Sequence, residues 1–104
     1  MEIFSDQLPS FNGVYELLEK GCIPSAAFRN LKFTEDSVFF HPSVDYNLKM
    51  LALDAQTSGG ILMCVPENQV AKVLDDLHRG GDSFSRIIGR TSAQKGNSQW
   101  INLI

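Results

Sequence analysis

Asp54, Gln56, Thr57 and Ser58 crowd four polar side chains ahead of Gly59-Gly60, and the apolar run Ile61-Leu62-Met63-Cys64-Val65 follows at once. Glycines can take positive φ and let another group approach the backbone closely. A polar, glycine-ended loop of this kind can hold an anion through backbone N–H groups, as a nest does. The same residues also suit a plain turn, in which Gly59-Gly60 redirects the chain and Thr57 and Ser58 bond local backbone. Their spacing fits no nucleotide-binding pattern, so both readings stand at this stage. Ile61 to Val65 shows no alternation and lies between Gly-Gly and Pro66, which predicts a strand buried on both faces. Such a strand would hold the loop rigidly.

Other reactive residue types carry less. Cys22 and Cys64 are the only cysteines, and their spacing matches neither a zinc pattern nor a redox pair. Cys64 falls inside the apolar run and is expected to be a core residue, while Cys22 follows Gly21 at a predicted helix end as a filler. No histidine stands near either in sequence to activate a thiolate. His41 and His78 each lack a second ligand at helical spacing, so no metal site is expected. No residue of the chain is assigned a catalytic role.

At 104 residues, with 43% hydrophobic and 20% charged residues, the chain is expected to form one domain, residues 1–104, of an ordinary globular kind. A net charge of −3 without a concentrated basic surface argues against nucleic acid as the main partner. No apolar run approaches the ~18 residues of a membrane span, and the N-terminus lacks a basic-then-apolar signal. No membrane is expected, and the cytoplasm is the expected location.

The elements that must carry the loop follow in order. Met1 to Leu8 reads as a strand end or a lead-in. Pro9-Ser10 predicts a helix start capped by Ser10, with Phe11, Val14, Tyr15, Leu17 and Leu18 on one face and Gly21 just past the end. Gly13 would weaken that helix by about 1 kcal/mol relative to alanine. Ala26 to Phe33 and Ser37 to Phe40 read as two short strands joined at Glu35-Asp36, suggesting a hairpin. Pro42-Ser43 predicts the next helix, with Ser43 as cap and Val44, Leu48, Leu51 and Ala52 on one face. Pro66 suits a first helical position, and Val70, Val73, Leu74 and Leu77 make an apolar stripe ended by Gly80-Gly81. Phe84 to Arg90 and Gln99 to Ile104 read as strands joined by a hairpin loop, Ala93 to Ser98, with a Gly-Asn turn. Helices mixed with strands in this order predict an α/β or α+β layered domain.

Leu53-Asp54-Ala55-Gln56-Thr57-Ser58-Gly59-Gly60-Ile61-Leu62 resembles the Asp-Pro-Gln-Thr-Ser-Gly-Gly-Leu-Leu signature of selenophosphate synthetases, the selenide, water dikinases. The surroundings are similar too: Leu8-Pro9, Gly13-Val14, Leu17 and Gly21-Cys22-Ile23-Pro24 before it, the pair Arg29-Asn30, then Pro66 with its helix and Ile87-Ile88-Gly89-Arg90. The similarity runs from about residue 7 to 104. Two departures stand out. Ala55 replaces the family's usual proline, and Ser25-Ala26-Ala27 replaces a Gly-Gly-Thr or Gly-Gly-Ser segment, which puts any backbone contact there in doubt.

The resemblance implies the fold of the aminoimidazole ribonucleotide synthetase superfamily C-terminal domain: a mixed sheet covered by helices, here incomplete. It also implies a reaction, selenophosphate formation from selenide and ATP with Mg²⁺. The family's reactive Cys or selenocysteine, its lysine and its Mg²⁺-binding aspartates lie in an N-terminal region with no counterpart here. The domain's own first strand and helix lack one as well. The expectation is therefore a C-terminal fragment without catalysis of its own, holding no cofactor, while ATP and Mg²⁺ belong to the complete enzyme. Gln56, Thr57, Ser58, Gly59, Gly60, Arg29 and Asn30 are the phosphate or ligand contacts the resemblance implies. A missing strand would expose a sheet edge, so the expected partner is a second copy or the N-terminal domain. The alternative is a stand-alone, non-catalytic binding or assembly module of the same fold.

Overall fold

Both ends of the chain meet in one sheet. The computed structural model describes residues 1–93 and 99–104. Four short strands, β1 (Glu2–Ile3), β2 (Val38–Phe40), β3 (Gly89–Arg90) and β4 (Ile101–Leu103), lie in the order β2-β4-β1-β3. β4 runs parallel to both β1 and β2, whereas β3 pairs antiparallel with β1, setting Ile3 against Gly89. Bonds beyond the strands extend the seam: Phe4 N donates to Ile88 O, and Ser5 N to Ile104 O, both at 2.8 Å. With four helices, α1 (Val14–Glu19), α2 (Ser25–Thr34), α3 (Tyr46–Ala52) and α4 (Glu67–Arg79), this is the expected mixed-sheet α/β layered fold.

The core sits between α2, α3 and β2. Ala27 and Met50 are 0% and 1% exposed, Leu53 is buried beside them, and Ile23, Leu31 and Phe40 close the cluster. Lys49 lays its ammonium 4.5 Å from the Phe40 ring centroid, a cation–π cover over the outer side of that core.

Several expectations are corrected. Ala26 to Phe33 is not a strand of a hairpin but most of α2. Ala26, Ala27, Arg29, Leu31 and Lys32 all favour helix, Pro24 starts it in extended conformation, and the helical turn sends Ala27 and Leu31 into the core. Its last turn closes with Thr34 Oγ1 donating to Asn30 O at 2.9 Å. α1 begins at Val14 rather than after Ser10, because Gly13 holds φ 87°, which no helix interior admits. Phe11 is left outside α1 and meets Phe84 edge-on, centroids 6.2 Å apart. α3 is capped by Asp45 and not by Ser43: Asp45 Oδ1 accepts from Asn47 N at 2.8 Å and Leu48 N at 3.4 Å. Ser43 bonds His41 Nδ1 instead, at 2.6 Å. Pro66 stands one position before α4, as its cap residue.

Two helix ends were legible for a clear reason. Gly21 (φ 77°) and Gly81 (φ 100°) take the left-handed conformation, and each helix closes with paired bonds. Gly21 N donates to Leu18 O and Cys22 N to Leu17 O; Gly81 N donates to His78 O and Asp82 N to Leu77 O. That is the Schellman closure, which glycine makes without a Cβ penalty.

The largest correction concerns Ile61 to Val65. These residues form no strand, and Ile61, Leu62 and Met63 are 87%, 58% and 52% exposed. Cys64 is exposed as well, so it is not a core thiol. A strand buried on both faces needs a ladder neighbour on each side. The edges of this sheet are β2 and β3, and neither pairs with residues 61–65. The C-terminal hairpin is also replaced: β1 lies between β3 and β4, so the two are not neighbours. The predicted turn within residues 94–98 lies outside the described residues. No helix among them is long and apolar enough to cross a membrane.

Candidate functional site

The loop from Asp54 to Gly60 leaves the end of α3 and is tied down at its base. Leu53 is buried in the core, and its carbonyl accepts a hydrogen bond from Asn30 Nδ2 at 2.9 Å. Asn30 belongs to α2, so one side chain joins that helix to the start of the loop. Asp54 is half-buried, and Gln56 Nε2 donates to its Oδ2 at 3.4 Å. The chain then turns at Thr57-Ser58, and Gln56 through Gly60 are all exposed.

The glycines do not act as expected. Neither Gly59 nor Gly60 has positive φ, so the left-handed backbone of a nest is not present. Gly59 is covered by the Gln56 side chain, whose Oε1 lies 3.1 Å from where a Cβ would sit, while Gly60 faces open space. Arg29 donates to Ser25 Oγ at 3.3 Å, one turn back on its own helix. Of the residues singled out in sequence, the structure joins Asn30 to the base of the loop, and it directs the Arg29 hydrogen bond elsewhere.

These groups have a definable chemistry. Two hydroxyls, a side-chain amide and exposed backbone N–H groups can donate to phosphate oxygens. The Asp54 carboxylate opposes an anion unless a cation shares the site. Among the described residues no group of three or more His, Cys, Asp and Glu is placed to share a metal ion. No step through Mg²⁺ is assigned to the residues present.

The groups with shifted pKa values lie elsewhere and are structural. Tyr15 Oη donates to Asp45 Oδ1 at 2.9 Å. That bond holds the Asp45 carboxyl below the ordinary carboxylate range and pushes the Tyr15 hydroxyl up. Asp82 is lowered chiefly by Ser85 Oγ, which donates to it at 2.7 Å, with the Phe84 and Ser85 N–H groups adding to the effect. Both carboxylates organise backbone turns.

One feature was not foreseen from the sequence. The half-buried stripe Val70, Val73, Leu74 and Leu77 of α4 lines a groove of about 750 Å³, together with residues 60–65 and 84–91. The available signal was the apolar stripe itself, at helical spacing between Pro66 and Gly80-Gly81. It was masked by assigning Ile61 to Val65 to the sheet.

No protein-family model matches the chain. Among curated proteins it is similar to the selenide, water dikinase of Porphyromonas gingivalis strain W83, 44% identical over 90 residues, 86% of this chain and 25% of that protein. The selenide, water dikinase of Clostridium botulinum strain Eklund 17B is 31% identical over 90 residues, again 86% of this chain and 26% of the relative. Selenide, water dikinase 2 of Peptoclostridium acidaminophilum is 31% identical over 98 residues, 94% of this chain and 28% of the relative. The chain thus spans about a quarter of the length of these relatives.

Proposed function

Because this chain belongs by sequence with the C-terminal part of the selenide, water dikinases, we propose that it is a single domain of an enzyme that makes selenophosphate from selenide and ATP, not catalytic on its own. The observation that supports this is the 44% identity over 86% of the chain, against a relative four times longer than the matched part. Phosphoryl transfer depends mainly on positioning and charge stabilisation. Thr57, Ser58 and the amides of residues 56–60 supply the positioning: they hold phosphate oxygens of substrate or product. Asn30 fixes the base of that loop through Leu53 O. Mg²⁺ and the nucleophile come from the remainder of the enzyme, which also supplies the cation that offsets Asp54. Arg29 joins the site only by leaving Ser25, a weak partner at 3.3 Å. A second reading, a stand-alone assembly module, draws support from the exposed apolar groove beside α4.

The loop assignment is tested by titrating inorganic phosphate, with and without Mg²⁺, while following amide shifts of residues 56–61. Saturable shifts are expected, with dissociation constants on the order of millimolar, about −4 kcal/mol. The double substitution Thr57→Ala and Ser58→Ala should abolish them while lowering stability by no more than about 1–2 kcal/mol. Shifts that never appear, or that survive the double substitution, contradict the assignment.

A further inference from the structure

One asparagine of this chain sits unlike the others. Asn12 precedes Gly13 in an exposed turn. Val14 N donates to Phe11 O at 3.2 Å, and Gly13 has φ 87° and ψ −8°. Those angles are those of the third residue of a type II turn, which puts the Asn12–Gly13 peptide at its centre. Among the described residues Gly13 N donates no backbone hydrogen bond, and nothing lies within 4 Å of where a Gly13 Cβ would sit. The other described asparagines are held inside elements. Asn30, Asn47 and Asn68 lie in α2, α3 and α4, and Asn102 in β4. Each precedes a residue with a bulky side chain: Leu31, Leu48, Gln69 and Leu103. Leu48 N is bonded to Asp45 Oδ1 and Gln69 N to Pro66 O, while Asn30 Nδ2 is engaged by Leu53 O.

We infer that Asn12-Gly13 is a site of spontaneous covalent modification, closing to a succinimide and opening chiefly to isoaspartate. Asparagine is among the chemically labile residues, and here its neighbour is a free, unhindered nitrogen. Hydroxide takes the proton from Gly13 N, and the nitrogen attacks Asn12 Cγ. The N–Cγ bond forms, the Cγ–Nδ2 bond breaks, and Nδ2 leaves as ammonia after taking a proton from water. Water then opens the ring. Addition at Cγ breaks the new bond and leaves an ordinary aspartate. Addition at the Asn12 carbonyl carbon breaks the original peptide bond and leaves isoaspartate, with the chain running through Cβ and Cγ. Nothing is oxidised or reduced. Ring closure needs the central peptide to rotate toward the side chain. One bond of 3.2 Å closes the turn against this, and glycine accepts the compensating change of φ without a Cβ penalty. The isoaspartate form adds a backbone atom between Phe11 and Val14, so the turn opens and α1 frays at its start.

The test incubates the folded chain in mildly alkaline buffer below its unfolding midpoint and digests samples at intervals for peptide mass spectrometry. The peptide holding Asn12 should convert at least tenfold faster than those holding Asn30, Asn47, Asn68 or Asn102. Labelling by an isoaspartyl methyltransferase should show isoaspartate exceeding aspartate in that peptide. Asn12→Gln, a change at an exposed position, should remove both the conversion and the labelling there and leave the unfolding midpoint where it was. Unfolding the chain in urea should raise the Asn12 rate less than tenfold, because the turn already admits the attack. Asn12 converting no faster than the other four, or only once urea has unfolded the chain, overturns the inference. Labelling of the same peptide that persists in Asn12→Gln overturns it too.

Discussion

Gly89→Ala should lower stability by about 2–3 kcal/mol, the upper part of the range for overfilling a packed site. A Cβ at that position would collide with Glu2 O and lie 3.1 Å from both Glu2 C and Ile3 Cα. All three are backbone atoms, so no side chain can rotate away, and relief requires pulling β1 off β3. β1 is only two residues long and also pairs with β4, so the disturbance reaches the middle of the sheet. For a chain of this size the unfolding midpoint should fall by roughly 10 °C or more. Gly60→Ala is the matched control, because Gly60 has no positive φ and no atom within 4 Å of the added Cβ. It should change stability by less than about 0.5 kcal/mol. If both variants melt together, the β1–β3 pairing is wrong.

Met50→Ala carries the second large effect, a loss of about 2–5 kcal/mol in urea or thermal unfolding. Met50 is one of the two largest fully buried side chains, set against Ala27 and Leu53 with Ile23, Leu31 and Phe40 around them. The core is small, so little else is available to collapse into the gap. Total stability for a domain is about 5–15 kcal/mol, which makes this one residue a large share of it. The cavity also undermines Leu53, whose carbonyl holds Asn30, so amide exchange through residues 54–60 should accelerate. Leu62→Ala, at an exposed position, should be close to neutral. Equal losses from both changes would move the core away from α3.

How far the sequence reached can be read from particular residues. α4 was visible because Val70, Val73, Leu74 and Leu77 repeat at helical spacing between Pro66 and Gly80-Gly81. The β2 and β4 strands were visible as short β-prone runs. α2 was misread because Phe28, Leu31 and Phe33 suggested a strand, while the alanines that favour helix were passed over. Ser43 and Asp45 both suit a cap, and only the geometry, with Asp45 also bonded by Tyr15 from α1, decides between them. The hairpin failed because β1, ninety-odd residues away, inserts between its intended strands, and local signals do not report such pairing.

Ile61 to Val65 failed for a more instructive reason. Its composition does predict a buried strand, but burial needs neighbours that the described part of this chain does not provide. The polar loop before it was legible as an exposed turn. Its backbone geometry was not, because nothing in Gly59-Gly60 reveals that both would avoid positive φ.

The central proposal is that this chain is one part of a selenide-using, ATP-consuming enzyme and does no chemistry alone. The direct measurement incubates it with ATP, Mg²⁺ and selenide and follows selenophosphate by phosphorus NMR. This is done with and without the unmatched three quarters of the 44%-identical relative. Selenophosphate should form only when both parts are present. Selenophosphate made by this chain alone, or made equally well by the other part without it, would contradict the account.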